Sequence, residues 1–321
     1  MTQMRTQAAP AGAATATAQG APAARGTSTA VRIQKSTAPA SVGSLAGIGL
    51  MLAGTLSVQF GSAVAALLFP RVEALGVVAL RVTIAAVLLL VVCRPRLRGH
   101  SRADWAVVGA FGLALGGMNI LFYQAIDRIP LGPAVTLEVL GPLLLSVATA
   151  RRAVSLAWAG LALGGVFLLG RDGFDQLNPA GAGFALGAGV MCAAYIVCNS
   201  RAGARFPRLD GLALAMGVAA LVSLPLGVGS AGTTLLEPEV LGLGLAVALL
   251  SSGLPYTLEL LALRRLPAST FAVLMSLAPA VAALAGFLVL GQTLSVSQCL
   301  AIALVVAASA GAVRTGRANR S

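Results

Sequence analysis

Charge is scarce in this sequence. Only 10% of its 321 residues are Asp, Glu, Lys or Arg, against roughly 25% in an ordinary soluble domain, so the chain lacks the ionic groups that keep a globular surface in water. A soluble fold is excluded. Histidine occurs once, as His100 in a basic loop, and the four cysteines (Cys93, Cys192, Cys198, Cys299) stand at spacings that fit neither a zinc site nor a disulfide framework. No metal is expected, and the thiols read as free groups at lipid depth. No Gly-x4-Gly-Lys-Ser/Thr run is present, so ATP is not the evident energy source. Without a nucleophile elbow or a tight cluster of His, Cys and carboxylates, the chain reads as a non-enzyme that needs no cofactor. Aromatic residues make up only 5%, too few for a dense cage around a large cation.

What is abundant is apolar, 58% of the chain. Ten apolar stretches of roughly 17 to 25 residues recur at about 45–69, 74–93, 105–126, 131–150, 154–170, 180–199, 211–230, 240–262, 268–290 and 294–313. The alternation of a closed barrel is missing, and runs such as Ala79 to Val92 are apolar all round apart from Arg81, which leaves helices as the spanning element. The predicted fold is an all-α integral membrane protein with ten transmembrane helices. Residues 1–43 are rich in Ala, Thr, Gly, Pro, Ser and Gln and read as a disordered cytoplasmic tail. The first apolar run is long enough to span rather than to act as a cleaved signal.

The formal net charge of +12 invites a nucleic-acid reading, but the basic residues are spread over alternate loops instead of gathering on one face. The tail, Arg94 to Arg102, Arg151 and Arg152, Arg201 to Arg208, Arg264 and Arg265, and Arg314 to Arg320 all fall on one side; Arg71, Arg128 and Arg171 fall on the other. Positive residues stay on the cytoplasmic side, so both termini are predicted to be cytoplasmic, in the bacterial plasma (inner) membrane. The partners expected are the lipid bilayer and no nucleic acid.

Residues 125–142, AIDRIPLGPAVTLEVLGP, align with residues 262–279, ALRRLPASTFAVLMSLAP, at a shift of 137, with Ala, Arg, two prolines and two leucines coincident. The alignment divides the chain into a first repeat, 44–172, a second, 178–313, and a short cytoplasmic tail, 314–321. Five helices per repeat is an odd number, so the halves are predicted to be inverted, as in many secondary transporters. Pro142 and Pro279 occupy matched positions and are expected to kink helices 4 and 9 where they face protein or a cavity.

An ionisable side chain inside the hydrocarbon costs about 2.5 to 3.5 kcal/mol on the insertion scale, so each one marks a candidate site. Three do: Arg81, Glu138 and Glu259. Arg81 and Glu138 stand at similar depth and are expected to pair, with Glu138 taking a proton or a substrate ammonium and Arg81 holding it ionised or meeting a substrate carboxylate. A static ion pair that only fixes packing is the competing reading. Glu259, about one turn from Arg264 and Arg265, reads either as an acid snorkelling to the inner surface or, with Tyr256, as an inner-gate stripe. Asn119 and Tyr123, four residues apart on helix 3, form another polar stripe. Ser57 and Gln59 on helix 1 and Tyr195 on helix 6 are weaker candidates, since such groups often serve only as interhelical bonds.

The segments SVQFGSAVAALLFP (57–70), GVVALR (76–81), LGGMNILFY (115–123), IPLGPAVTLEVLGP (129–142), ALGAGVMCAAYI (185–196), LPYTLELLALRRLP (254–267) and TFAVLMSLAP (270–279) resemble the EamA-type transporters of the drug/metabolite transporter superfamily, in the threonine and homoserine exporter group. The resemblance is collinear over nearly all of 45–313. It implies two inverted EamA repeats and an inner-membrane efflux carrier that exchanges a small zwitterionic amino acid for protons, and it gives Glu138 and Glu259 places in that group's pattern. Ala278 stands where that group carries an acid before the helix-9 proline. Alternative readings are efflux of another metabolite or a cationic drug on the same scaffold, a membrane-embedded enzyme, or an assembly component.

Overall fold

A segment that leaves water for hydrocarbon must satisfy its own amides, and the helix does so within one stretch of chain. The computed structural model of the protein describes residues 42–150, 153–171, 178–207, 209–263, 265–266 and 274–318. Among these residues the regular structure is helical, with no strand. The segments are α1 (Val42–Ala66), α2 (Phe69–Cys93), α3 (Arg102–Ile126), α4 (Leu131–Ala150), α5 (Ala153–Arg171), α6 (Pro179–Arg205), α7 (Asp210–Ala231), α8a (Pro238–Ala248), α8b (Leu254–Leu263), α9 (Ala278–Leu290) and α10 (Val296–Ala318). A π turn, Leu249–Gly253, joins α8a to α8b. Five segments, Leu45–Ala66, Phe69–Cys93, Arg102–Ile126, Pro179–Arg205 and Asp210–Leu236, are long and apolar enough to cross a membrane.

The helix starts follow from local chemistry. Proline occupies the first turn of α2, α6 and α8a, where its missing N–H removes no helical bond. Ser101 caps α3 in a reciprocal box with Asp104, and the Asn178 side chain accepts from the amides of Ala180 and Gly181 at the head of α6.

The structure moves one expected boundary, gives the cause of another and separates the two matched prolines. The first apolar run ends at Ala66 and not at residue 69, because the chain turns at Leu67 and Leu68 and Phe69 already belongs to α2. Within α2 the backbone breaks at Glu73, whose φ of 53° and ψ of 169° lie in a region that favours glycine, so the regular helix begins at Ala74. Pro142 stands inside α4, whereas Pro279 stands in the first turn of α9, after a turn at Ser276 and Leu277. There it interrupts no ladder.

Packing is dominated by small residues. Ala63, Ala65, Ala85, Ala125, Ala134, Ala185, Ala188 and Ala219 are buried in one continuous core, while Leu88, Val91, Val92, Leu113, Phe167 and Leu221 are exposed on the outside. This is the arrangement expected where lipid, not water, surrounds the helices and close backbone approach holds them together. The most extensive contacts run between α2 and α7, between α3 and α6, and between α5 and α10, followed by α3 with α7 and α4 with α6, then α1 with α8b and α1 with α9.

Polar ties mark the two ends of the bundle. At one end Arg71 meets Glu239 at 2.6 Å, and Gln292 Oε1 accepts the Leu131 amide at 3.0 Å, covering an orphan donor at the head of α4. At the other end Arg205 meets Asp104 at 3.2 Å. The starts of α2, α4 and α8a therefore share one end, and the start of α3 and the end of α6 share the opposite one.

Candidate functional site

Arg81 sets a guanidinium, a planar cation with five donors, within an apolar helix. The chain around it, Val77 to Val82, is otherwise buried and aliphatic, while Arg81 itself is only half-buried. Its Nη1 donates to Tyr123 Oη at 2.9 Å and its Nη2 to the Ser251 carbonyl at 3.4 Å. The guanidinium carbon sits 5.4 Å from the centre of the Tyr123 ring. Tyr123 is fully buried, with Phe69 and Phe122 against its ring at centroid distances of 6.0 and 5.9 Å. Three helices thus converge on one cation: α2 supplies it, α3 the phenol, and the π turn after α8a the carbonyl.

The expected ion pair with Glu138 is absent. No carboxylate among the described residues lies within 4.0 Å of the Arg81 guanidinium. The donors are taken up by neutral oxygens instead, since a phenol and a peptide carbonyl reach Arg81 first. Glu138 remains within electrostatic reach of it, and its carboxylate has no hydrogen-bond partner among the described residues. Glu138 is only partly covered although Leu137 and Leu140 beside it are buried.

The setting of Glu138 follows from two glycines. A Cβ placed on Gly141 would overlap the Gly189 carbonyl, and one on Gly189 would sit 2.7 Å from the Glu138 carbonyl oxygen. The α4 and α6 backbones therefore touch directly. Cys192, three residues on from Gly189 and on the same side of α6, comes within electrostatic reach of Glu138.

The other candidates divide. Asn119 is buried one turn below Tyr123 and spends its amide on its own helix, Nδ2 donating to the Leu115 carbonyl at 2.9 Å. Gln59 is buried on α1 without a hydrogen-bond partner among the described residues. Tyr195 bridges two clusters: its ring lies 5.4 Å from Phe111 in the group of Val108, Phe111, Ala202 and Phe206, and it also packs against the main core that contains Tyr123. The side chains of Tyr256 and Glu259 fall outside the described residues. One part of the site was not anticipated: Ser251 and Ser252 are buried, and Ser57 Oγ donates to the Leu250 carbonyl at 2.6 Å. The signal available was the run Ser251 to Pro255, where two serines, a glycine and a proline interrupt an apolar span.

Among the described residues, a half-buried cation held by neutral oxygens and an acid without a hydrogen-bond partner inside the bundle can together hold a charged or zwitterionic solute away from lipid. The EamA-like transporter family matches over residues 179–314. The chain is 41% identical over 271 residues to the threonine/homoserine exporter RhtA of Salmonella typhimurium (strain LT2), a match covering 84% of this chain and 91% of that one. It is likewise 41% identical over 273 residues to the threonine/homoserine exporter RhtA of Escherichia coli (strain K12), covering 84% and 92%. A solved crystal structure shares the fold with a TM-score of 0.54 at 23% identity, over 88% of this chain and 99% of that one.

Proposed function

From its membership of the EamA-like transporter family, to which this chain belongs, we propose that it exports small hydroxylated amino acids of the threonine and homoserine type across the bacterial inner membrane, in exchange for protons. The observation that carries this reading is the separation of opposite charges inside the bundle. Arg81 has only neutral partners among the described residues, and the Glu138 carboxylate has none. A guanidinium with donors to spare matches a substrate carboxylate, and an acid without a fixed partner is free to take an ammonium or a proton in turn. A static ion pair would have left neither available.

The packing supports two inverted five-helix repeats across ten transmembrane spans. Matching each helix with the one five places later turns the α3 with α6 contact into that of α8 with α1, and the α4 with α6 contact into that of α9 with α1. The contacts of α2 with α7, α5 with α10 and α4 with α9 map onto themselves. Such a pattern is what a two-fold axis in the membrane plane produces, and it lets two bundles open alternately around a midplane site. The distribution of Lys and Arg supports cytoplasmic termini.

The test is uptake of radiolabelled homoserine or threonine into inverted membrane vesicles, with and without an inward-acidic proton gradient. Accumulation that collapses with a protonophore is the expected result. Failure to move either amino acid, with the protein present in the membrane, would overturn the substrate; movement indifferent to the gradient would overturn the coupling.

A further inference from the structure

A π turn inside an α-helix carries one residue more than the regular ladder accommodates, so carbonyls at the bulge seek partners outside the helix. In the turn Leu249–Gly253 two consecutive carbonyls find them on different helices. The Leu250 carbonyl accepts Ser57 Oγ from α1 at 2.6 Å, and the Ser251 carbonyl accepts Arg81 Nη2 from α2 at 3.4 Å. The first bond is short and its donor is buried; the second is long.

The face of α1 that meets this turn is built for close approach. Gly61 follows Ser57 by four residues and so shares its face. A Cβ on Gly61 would come 2.5 Å from Ser251 Oγ and 3.2 Å from the Ser251 amide nitrogen. Ser251 Oγ is itself buried without a hydrogen-bond partner, so its side chain fixes nothing by bonding. What holds the π turn in register against α1 is Ser57.

We propose that Ser57 is a positioning residue for Arg81. By pinning the Leu250 carbonyl it aims the next carbonyl, that of Ser251, at the guanidinium, which then presents its remaining donors to the substrate carboxylate. The proposal rests on the reading of Arg81 given above. Without the Ser57 hydroxyl the bulge is free to migrate, and moving it by one residue rotates the Ser251 carbonyl by about 100°, away from Arg81.

The experiment is transport kinetics of the full chain in proteoliposomes, with the amount of reconstituted protein measured for each variant. Ser57→Ala is expected to raise KM for homoserine about tenfold with kcat within about twofold of the parent, and Ser57→Thr, which keeps the hydroxyl, is expected to restore KM. Ser57→Cys, of similar volume but a poor donor, serves if the alanine variant does not reach the membrane, and its KM is expected to rise in the same way. In an Arg81→Lys background, where the two-pronged contact is gone, Ser57→Ala is expected to add less than about twofold. Parental KM in both the alanine and cysteine variants, or an equal penalty with and without Arg81→Lys, overturns the positioning role. If Arg81→Lys alone transports like the parent, the reading of Arg81 as the carboxylate partner falls instead.

Discussion

Arg81 and Tyr123 act as one unit: the guanidinium donates to the phenol oxygen at 2.9 Å while its carbon stands 5.4 Å from the same ring. The bond links α2 to α3 across a buried contact, and the ring is wedged between Phe69 and Phe122. Removing the oxygen leaves the ring packed but returns one donor to the cation. Tyr123→Phe is therefore expected to reach the membrane at parental levels and to weaken substrate affinity by about tenfold, the scale of one hydrogen bond to a charged group. Half-saturation of homoserine transport in proteoliposomes measures this directly.

Glu138 carries the proton in the proposed exchange. Glu138→Gln keeps the size of the side chain and removes its titration, so a gradient of pH no longer does work on the substrate. Counterflow, in which unlabelled amino acid inside drives labelled amino acid in, is expected to persist at saturating concentrations with weakened affinity, since the amide offers the ammonium no charge, while concentrative uptake disappears. Full gradient-driven uptake by Glu138→Gln would take the proton away from this residue.

Cys192 supplies a reporter for the space next to Glu138. In a variant where Cys93, Cys198 and Cys299 are replaced by serine, a small uncharged maleimide is expected to label Cys192, and saturating homoserine is expected to slow the labelling several-fold, since bound substrate near Glu138 shields the thiol. Labelling at the same rate with and without substrate would separate Cys192 from the substrate path.

At the head of α2, Glu73 holds a positive φ of 53°. Its side chain is exposed and takes part in no ion pair among the described residues. Glu73→Gly relieves backbone strain of about 1 to 3 kcal/mol, partly offset by the added freedom of the unfolded chain. A net gain of about 1 kcal/mol, read as a higher Tm of the detergent-purified protein, is the expected outcome.

Much of the architecture was legible because hydrocarbon leaves so few solutions. Apolar run length gave the helices, and Ala74 as the start of the regular part of α2 was read correctly even though the cause, a break at Glu73, was not visible. Arg81, Glu138 and Tyr123 stood out as polar groups in apolar helices. Their partners did not, because the choice between Glu138 on α4 and Tyr123 on α3 as the neighbour of Arg81 depends on how α2 is rotated and which of those helices packs beside it, which depth along the helix does not fix. The π turn was marked only indirectly, by the serines, glycine and proline of residues 251–255, and its bond partners on α1 and α2 come from tertiary packing that the sequence does not display. Tyr195 stood out by its polarity, and its contact with Phe111 was not visible because it depends on how α3 and α6 face each other.

The meeting of Gly141 with Gly189 has a mechanical meaning. Helices whose side chains interlock must unseat ridges from grooves before they can change their angle, whereas here main chain rests on main chain with nothing between. The crossing of α4 and α6 therefore has no interlocked side chains at its point of closest approach, and Glu138 stands one turn from that point.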